Sequence, residues 1–418
     1  MKTKTTVSKK QAPPVTDTRK KHLLKLRLQK HLYDAGSASV NDICRTLAIS
    51  TPTALKLLND LIHSKLIEKN GYGRSIGGRK PDLFRLKPGS FYVLCIDIEL
   101  FTMKMVIMDN THTASIPVTS ITHKLSKNRE DIQLIQRSAQ ELISRSGIDK
   151  KKLVGISIGM PGLVDAVAGE NYSYLTSDTS VTLREAFETA FRLPVTIQND
   201  VKGTALAELR HGKAVGKKNA LVLLMDWGVG LGIIMDGAVR HGASGFSGEM
   251  GHIPFVDNGE LCYCGKHGCL ETVASGQALA KMAREGILSG KNSILAELSP
   301  NELDNIEAEV VIKAANRGDQ YAIKLLSNIG SNMGKGISTL IQLFNPELII
   351  LGGKIAEARQ YITLPMQQAI NTYCMTKIRE KASIVSSELG ENGRLLSYAT
   401  AAFDHYFDTK LEEPANSA

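Results

Sequence analysis

Three cysteines within eight residues, Cys262, Cys264 and Cys269, are the tightest constraint on what this 418-residue chain can fold into. Their Cys-x-Cys-x4-Cys spacing includes Gly265 and Gly268, which let the backbone fold back and bring three thiols to one point. His252, ten positions upstream, can close a tetrahedron, and His267 is a second candidate for that role. Four N/S ligands leave no open position for water, so the expectation is a structural Zn2+ held by His252, Cys262, Cys264 and Cys269. The remaining cysteines, Cys44, Cys95 and Cys374, stand alone. Such a distribution argues against a disulfide framework and for a reducing compartment.

Charge is divided unevenly along the chain. Residues 1–90 hold 19 Lys and Arg against 6 Asp and Glu, and the remainder holds 32 against 36. A basic head on a mildly acidic body suits attraction to the phosphates of a duplex, although a basic tail can also serve solubility alone. Residues 1–18, with Pro13 and Pro14, read as a disordered basic tail. Leu23, Leu24, Leu26, Leu28 and Leu32 then predict a helix ending near Gly36. Asn41 is expected to cap a short helix carrying Ile43 and Leu47, and Ala48-Ile49-Ser50 a tight turn. Thr51 and Pro52 open a second helix, with Leu55, Leu58, Leu61 and Ile62 expected inward and Thr51, Thr53, Lys56 and Asn59 outward.

Small, polar and basic side chains in that outward pattern can enter a major groove. The next segment reads as strand, cationic glycine-rich tip and strand, with Arg74, Arg79 and Lys80 placed to meet DNA backbone or a minor groove. Residues 19–88 are therefore expected to form a winged helix-turn-helix that binds DNA, rather than an αα-hairpin inside a larger helical domain. Beyond Pro88-Gly89 the pattern changes to a three-strand meander followed by alternating strands and helices, and the same pattern begins again at Ala220. The expectation for residues 89–418 is a two-lobed α/β domain with a ligand cleft, its second lobe starting near 220 and its C-terminal helix returning to the first. No apolar run approaches the ~20 residues of a membrane span, and the polar N-terminus does not read as a signal peptide, so a cytoplasmic location without membrane insertion is expected.

Two segments, Gly248-Glu249-Met250-Gly251-His252 and Cys262-Tyr263-Cys264-Gly265-Lys266-His267-Gly268-Cys269-Leu270-Glu271, carry a family resemblance. The chain resembles the repressor, open-reading-frame and kinase (ROK) family from about Arg19 to about Phe403, and in particular its NagC-like and Mlc-like repressors. The resemblance implies a winged helix followed by a two-lobed actin-like, ribonuclease-H-like sugar-binding domain. It matches the cysteines and His252 to the family's zinc ligands. It also implies that Glu249, His252 and Glu271 hydrogen-bond sugar hydroxyls, together with Asn199 and Asp200. In the family's kinases that Asp is the general base. Gly159-Met160-Pro161-Gly162 resembles a turn near the sugar, which makes Gly162 a candidate lining residue.

The chain departs from the kinase pattern at both phosphate loops. Asp97-Ile98-Glu99-Leu100-Phe101-Thr102 stands where the family's kinases have Asp-x-Gly-Gly-Thr, and Asp226-Trp227-Gly228 opens the second loop. A carboxylate and bulky side chains in a phosphate path disfavour nucleotide. Only Gly352-Gly353 still looks like an adenosine-side turn. The expected function is thus a sugar-responsive repressor of carbohydrate uptake or catabolism genes, without enzyme activity. Its expected partners are operator DNA, a sugar or sugar phosphate, a homodimer or tetramer mate, and a sugar transporter component. The alternative is an ATP-dependent sugar kinase, alone or combined with regulation.

Overall fold

The computed structural model describes residues 17–74, 80–126, 129–175, 181–390 and 392–412. Most of the expected basic tail, and Arg79 of the wing, lie outside them. The head consists of α1 (Asp17–Ala35), β1 (Ala38–Ser39), α2 (Val40–Leu47), α3 (Thr51–His63), β2 (Ile67–Tyr72) and β3 (Asp82–Leu86). Its three strands pair in the order β1-β3-β2.

The residue that caps α2 is Ser39, not Asn41. Ser39 Oγ accepts from Asp42 N at 3.3 Å while Asp42 Oδ2 accepts from Ser39 N at 3.2 Å. This reciprocal pair satisfies two helix-end donors, which Asn41 inside the first turn cannot do. Ala48, at φ 51°, turns the chain out of α2. The inner face of α3 also differs from expectation: it is Ala54, Leu57, Leu58 and Leu61, whereas Leu55 is 44% exposed. Small Ala54 permits close packing, and that rotates the buried stripe by one position.

The first lobe begins with the antiparallel meander β4 (Tyr92–Ile98), β5 (Thr102–Asp109) and β6 (Thr119–Thr122). After α4 (Arg129–Arg145), β7 (Leu153–Met160) runs parallel to β4. A small hairpin, β8 (Val164–Asp165) and β9 (Glu170–Asn171), and α5 (Leu183–Phe191) precede β10 (Val195–Asn199) and α6 (Asp200–His211). The sheet order is β10-β7-β4-β5-β6.

The second lobe repeats the plan. Strands β11 (Ala220–Met225), β12 (Val229–Met235) and β13 (Ala238–Arg240) form the meander. Helices follow: α7 (Glu271–Ala274), α8 (Gly276–Leu288), α9 (Pro300–Asp304), α10 (Ala308–Asn316) and the long α11 (Gln320–Phe344). Next come β14 (Leu348–Gly352), α12 (Gln360–Tyr373), α13 (Thr376–Arg379) and β15 (Ser383–Ser386), giving the order β13-β12-β11-β14-β15.

The last helix, α14 (Gly393–Glu412), crosses back and packs on β4, β7 and α6 of the first lobe. Its Leu395, Tyr398, Phe403 and Phe407 share one buried cluster with Phe91 and Val93 of the body and Leu28 and Leu32 of the head. The Tyr33 ring of α1 lies tilted at 5.3 Å from that of Phe403 and 5.6 Å from that of Phe407. The head is thus seated on the body's last helix. No helix among the described residues is long and apolar enough to cross a membrane.

Candidate functional site

The two lobes enclose a cavity of about 740 Å³. One wall is the cysteine loop, folded on itself by bridges Pro254–Cys269 and Leu261–His267. Gly268, at φ 70°, is required there, because a Cβ would lie 1.9 Å from the carbonyl oxygen of Val256. The donor atoms of His252, Cys262, Cys264 and Cys269 all lie within 4.8 Å of one another. His252 Nδ1 is 3.6 Å from Cys262 Sγ, and Cys264 Sγ is 3.6 Å from Cys269 Sγ. Three soft sulfurs and an imidazole in one small volume are a donor set that fits zinc. His267, whose Nδ1 lies 3.1 Å from the Gly259 carbonyl, is not in the group. The other ring nitrogen of His252, Nε2, lies 2.9 Å from the hydroxyl of Tyr263, and both residues line the cavity. One imidazole therefore serves both the sulfur cluster and the cleft. Sequence reasoning missed Tyr263, because it lies between two cysteines of the cluster and reads as spacer.

Beyond this wall stand the carboxylates. Glu271 opens α7 and lodges against Gly228, where a Cβ would come within 2.6 Å of Glu271 Oε2. Oε2 accepts from Val229 N at 2.9 Å, while Oε1 is buried with no protein partner. Burial pushes the Glu271 carboxyl up to about 7; the Val229 N–H opposes this and nearby Glu249 adds to it. Glu249 is also raised by burial, against the pull of Lys202.

Asn199 and Asp200 sit at the β10–α6 junction. The Asn199 amide oxygen caps α6, accepting from the Val201 and Lys202 N–H groups at 3.1 and 3.2 Å, and its Nδ2 donates to the Gly162 carbonyl at 3.0 Å. The side chain thus lines the cavity mainly as a fastener. Gly162, at φ 94°, leaves room for Ser173, whose Cβ would be 2.6 Å from an added Cβ. Asp200 accepts from Val201 N at 2.8 Å. Burial raises its carboxyl to about 7; Arg394 draws it down while Asp97 and Asp226 push it up.

The half of the cleft expected to have lost its phosphate loops is lined by an ion-pair clasp. Arg394, from α14, donates through Nε to Asp97 Oδ2 at 3.0 Å, through Nη1 to Asp226 Oδ2 at 3.4 Å, and through Nη2 to Glu99. Tyr398 OH donates to the other Asp97 oxygen at 3.0 Å. Lys354 completes the clasp: its N–H donates to Asp226 Oδ1 at 2.6 Å and its Nζ lies 3.5 Å from Glu99. Burial would raise Glu99, yet Arg394, Lys104 and Lys354 together hold it below the usual carboxylate value. Phe101 and Trp227 meet edge-to-face at 5.0 Å. Both lobes are therefore joined by a guanidinium and a ring pair along this side. Arg394 carries no motif of its own, so the sequence did not reveal it. The Gly352-Gly353 turn now serves the clasp by presenting Lys354.

On the head, Thr51, Lys56 and Asn59 are exposed on α3, as are Arg74 and Lys80 at the wing. Thr53 is only half exposed, and its hydroxyl lies 2.9 Å from that of Ser50.

Residues 95–402 match the profile described as the ROK family. The chain belongs to the ROK family. Among ROK relatives, it is 27% identical over 372 residues to the DNA-binding transcriptional dual regulator NagC of Escherichia coli K12, covering 87% of this chain and 88% of that one. It is 33% identical over 249 residues to a glucokinase of Halalkalibacterium halodurans, covering 59% of this chain and 75% of the enzyme. A crystal structure of a ROK family transcriptional regulator, a homolog of the E. coli MLC protein, superposes with a TM-score of 0.74 at 26% identity, covering 94% of this chain and 98% of that one. The similarity to the ROK regulators includes the head, whereas that to the glucokinase covers a smaller share of this chain.

Proposed function

We propose that this ROK protein is a sugar-responsive transcriptional repressor that binds operator DNA through its head and a sugar in its cleft. The observation that carries the reading is the Arg394 clasp, which sets carboxylates along the phosphate side of the cleft while Glu271 Oε1, on the sugar side, lacks a partner. Sugar hydroxyls both donate and accept, so Glu249, Glu271 and Asp200 suit them, with His252 Nε2 as a further contact. Asn199 and Gly162 shape the same wall. With the clasp in place, Asp200 acts as a binding group and not as a general base.

His252, Cys262, Cys264 and Cys269 would hold zinc with no position left for water, so the ion supplies rigidity to the wall between Glu249 and Glu271. On DNA, Thr51, Lys56 and Asn59 face the major groove, Thr53 fixes the start of α3, and Arg74 and Lys80 approach the backbone from the wing; Arg79, next to Lys80 in sequence, is a further candidate contact outside the described residues. A homodimer or tetramer matches two heads to two half-sites, and a transporter component is a further candidate partner. Sugar relieves repression only by binding one head arrangement better than another.

The similarity to a glucokinase favours a second reading, an ATP-dependent sugar kinase. One experiment separates the two. Duplexes selected by the full-length protein from a random pool are titrated by fluorescence anisotropy with and without glucose, N-acetylglucosamine and xylose, and the same sugars are assayed with ATP. Repression predicts salt-dependent duplex binding that at least one sugar shifts tenfold or more, with no phosphorylation. Turnover that disappears in Asp200→Ala would defeat it.

A further inference from the structure

The reading of the cleft as a sugar site leaves open whether a free sugar or its phosphate ester is the effector. We infer that the effector is a neutral sugar presenting a free hydroxyl to Asp200, and that the cleft rejects its phosphorylated form. This inference rests on the proposed sugar site and on the arrangement of charge around it.

Asp200 lines one cavity with Glu249 and Glu271 of the sugar side and with Glu99, Asp226, Lys354 and Arg394 of the clasp. Tyr174 is within electrostatic reach of both Glu271 and Asp200 on the sugar side, and Asp200 is within reach of Asp97, Asp226 and Arg394 on the other. A substituent carried past Asp200 by a bound sugar therefore enters the clasp. The cavity lining holds six carboxylates, Glu99, Asp200, Asp226, Glu249, Glu271 and Glu307, against three cations, Lys266, Lys354 and Arg394.

Each of those cations is already engaged. Arg394 serves Asp97, Glu99 and Asp226. Lys354 serves Glu99 and feels Asp226 and Glu307. Lys266 Nζ donates to the His252 carbonyl at 2.7 Å. A phosphate dianion would have to displace a carboxylate from a buried guanidinium and leave that carboxylate unpaired, which is costly away from water. A hydroxyl adds no charge, and it can donate to the carboxylate it meets.

The test is calorimetric titration of the full-length protein with glucose, mannose, N-acetylglucosamine and xylose, and with the 6-phosphates of the three hexoses. Binding of a neutral sugar, with a matched 6-phosphate at least tenfold weaker or silent, supports the inference. A 6-phosphate that binds as tightly as its parent sugar or more tightly overturns it and leaves the sugar site standing. Failure of every sugar and ester to bind overturns the inference and the proposed sugar site together. The cause is checked with Asp226→Asn, which keeps the shape of the clasp and removes one negative charge. The discrimination against the ester is expected to shrink threefold or more in this variant; an unchanged ratio refutes the electrostatic origin.

Discussion

Gly159 shows how one missing atom fixes the position of the clasp. The Tyr398 ring packs against β7 at this residue, and an added Cβ would sit 1.9 Å from its ring carbon. Neither the strand nor a fully buried tyrosine bonded to Asp97 can move aside cheaply. Gly159→Ala is therefore expected to destabilise the protein by about 3 kcal/mol or more, read as a fall in Tm by circular dichroism. Asp200 makes a different prediction. Its folded carboxyl is raised to about 7 from an ordinary 3.8, so the folded state keeps a proton that the unfolded state loses. Stability contributed by that protonated group is present below pH 4 and is lost as pH rises to about 7. Asp200→Asn should flatten this slope and be more stable than the parent at pH 8, by about 1–3 kcal/mol after solvent screening in the cleft. Melts at pH 5 and pH 8 check it, and a parallel shift of both proteins contradicts it. At this scale the sequence showed the His/Cys cluster, because four such donors fall within eighteen residues. It hid Arg394, whose partners lie 168 to 297 positions away and are joined only by the fold.

At the level of elements, α3 presents separable roles. Lys56 is exposed and cationic and suits a phosphate, so Lys56→Gln should weaken binding to all duplexes alike and lower the salt slope by about one unit. Asn59 suits a base edge, so Asn59→Ala should relax sequence preference at one position, at a cost of roughly 1–3 kcal/mol on the preferred duplex. Anisotropy titrations at several salt concentrations, on selected and scrambled duplexes, distinguish the two. Long periodic elements such as α1 and the two meanders could be read from residue order, because burial repeats within them. The hairpin β8–β9 and α5 could not, being too short for a period to emerge. The cap of α2 was misplaced by two residues because Ser39 and Asn41 are both good capping types, and only the reciprocal bond from Asp42 decides between them.

For the whole molecule, two helices link the cleft to the head. Helix α6 begins at Asp200 and ends at His211, about 18 Å away at the usual rise. Helix α14 begins beside Arg394 and carries Thr400 and Phe403 to the same end. There Tyr33 OH lies 2.9 Å from His112 Nε2, the His112 ring is 5.3 Å from that of His211, and His211 Nε2 is 3.5 Å from Thr400 Oγ1. A sugar that moves Asp200 relative to Arg394 would shift these helices against each other beneath α1. The double variant Tyr33→Phe, His211→Gln is expected to bind sugar within about twofold of the parent yet lose threefold or more of the sugar's effect on DNA affinity. Calorimetry and anisotropy on the same preparation read both quantities. The two-lobed plan was legible because the meander-then-helix pattern occurs twice; the joint was not, since it draws on residues from four distant segments.

The placement of α14 also bears on how the protein is made. The head proposed to read DNA is translated well before the aromatic floor it rests on: Phe403 and Phe407 follow some 350 residues after α3 begins its first turn. A product that stops before α14 would hold the head without its foundation, so operator binding is expected to require translation through α14.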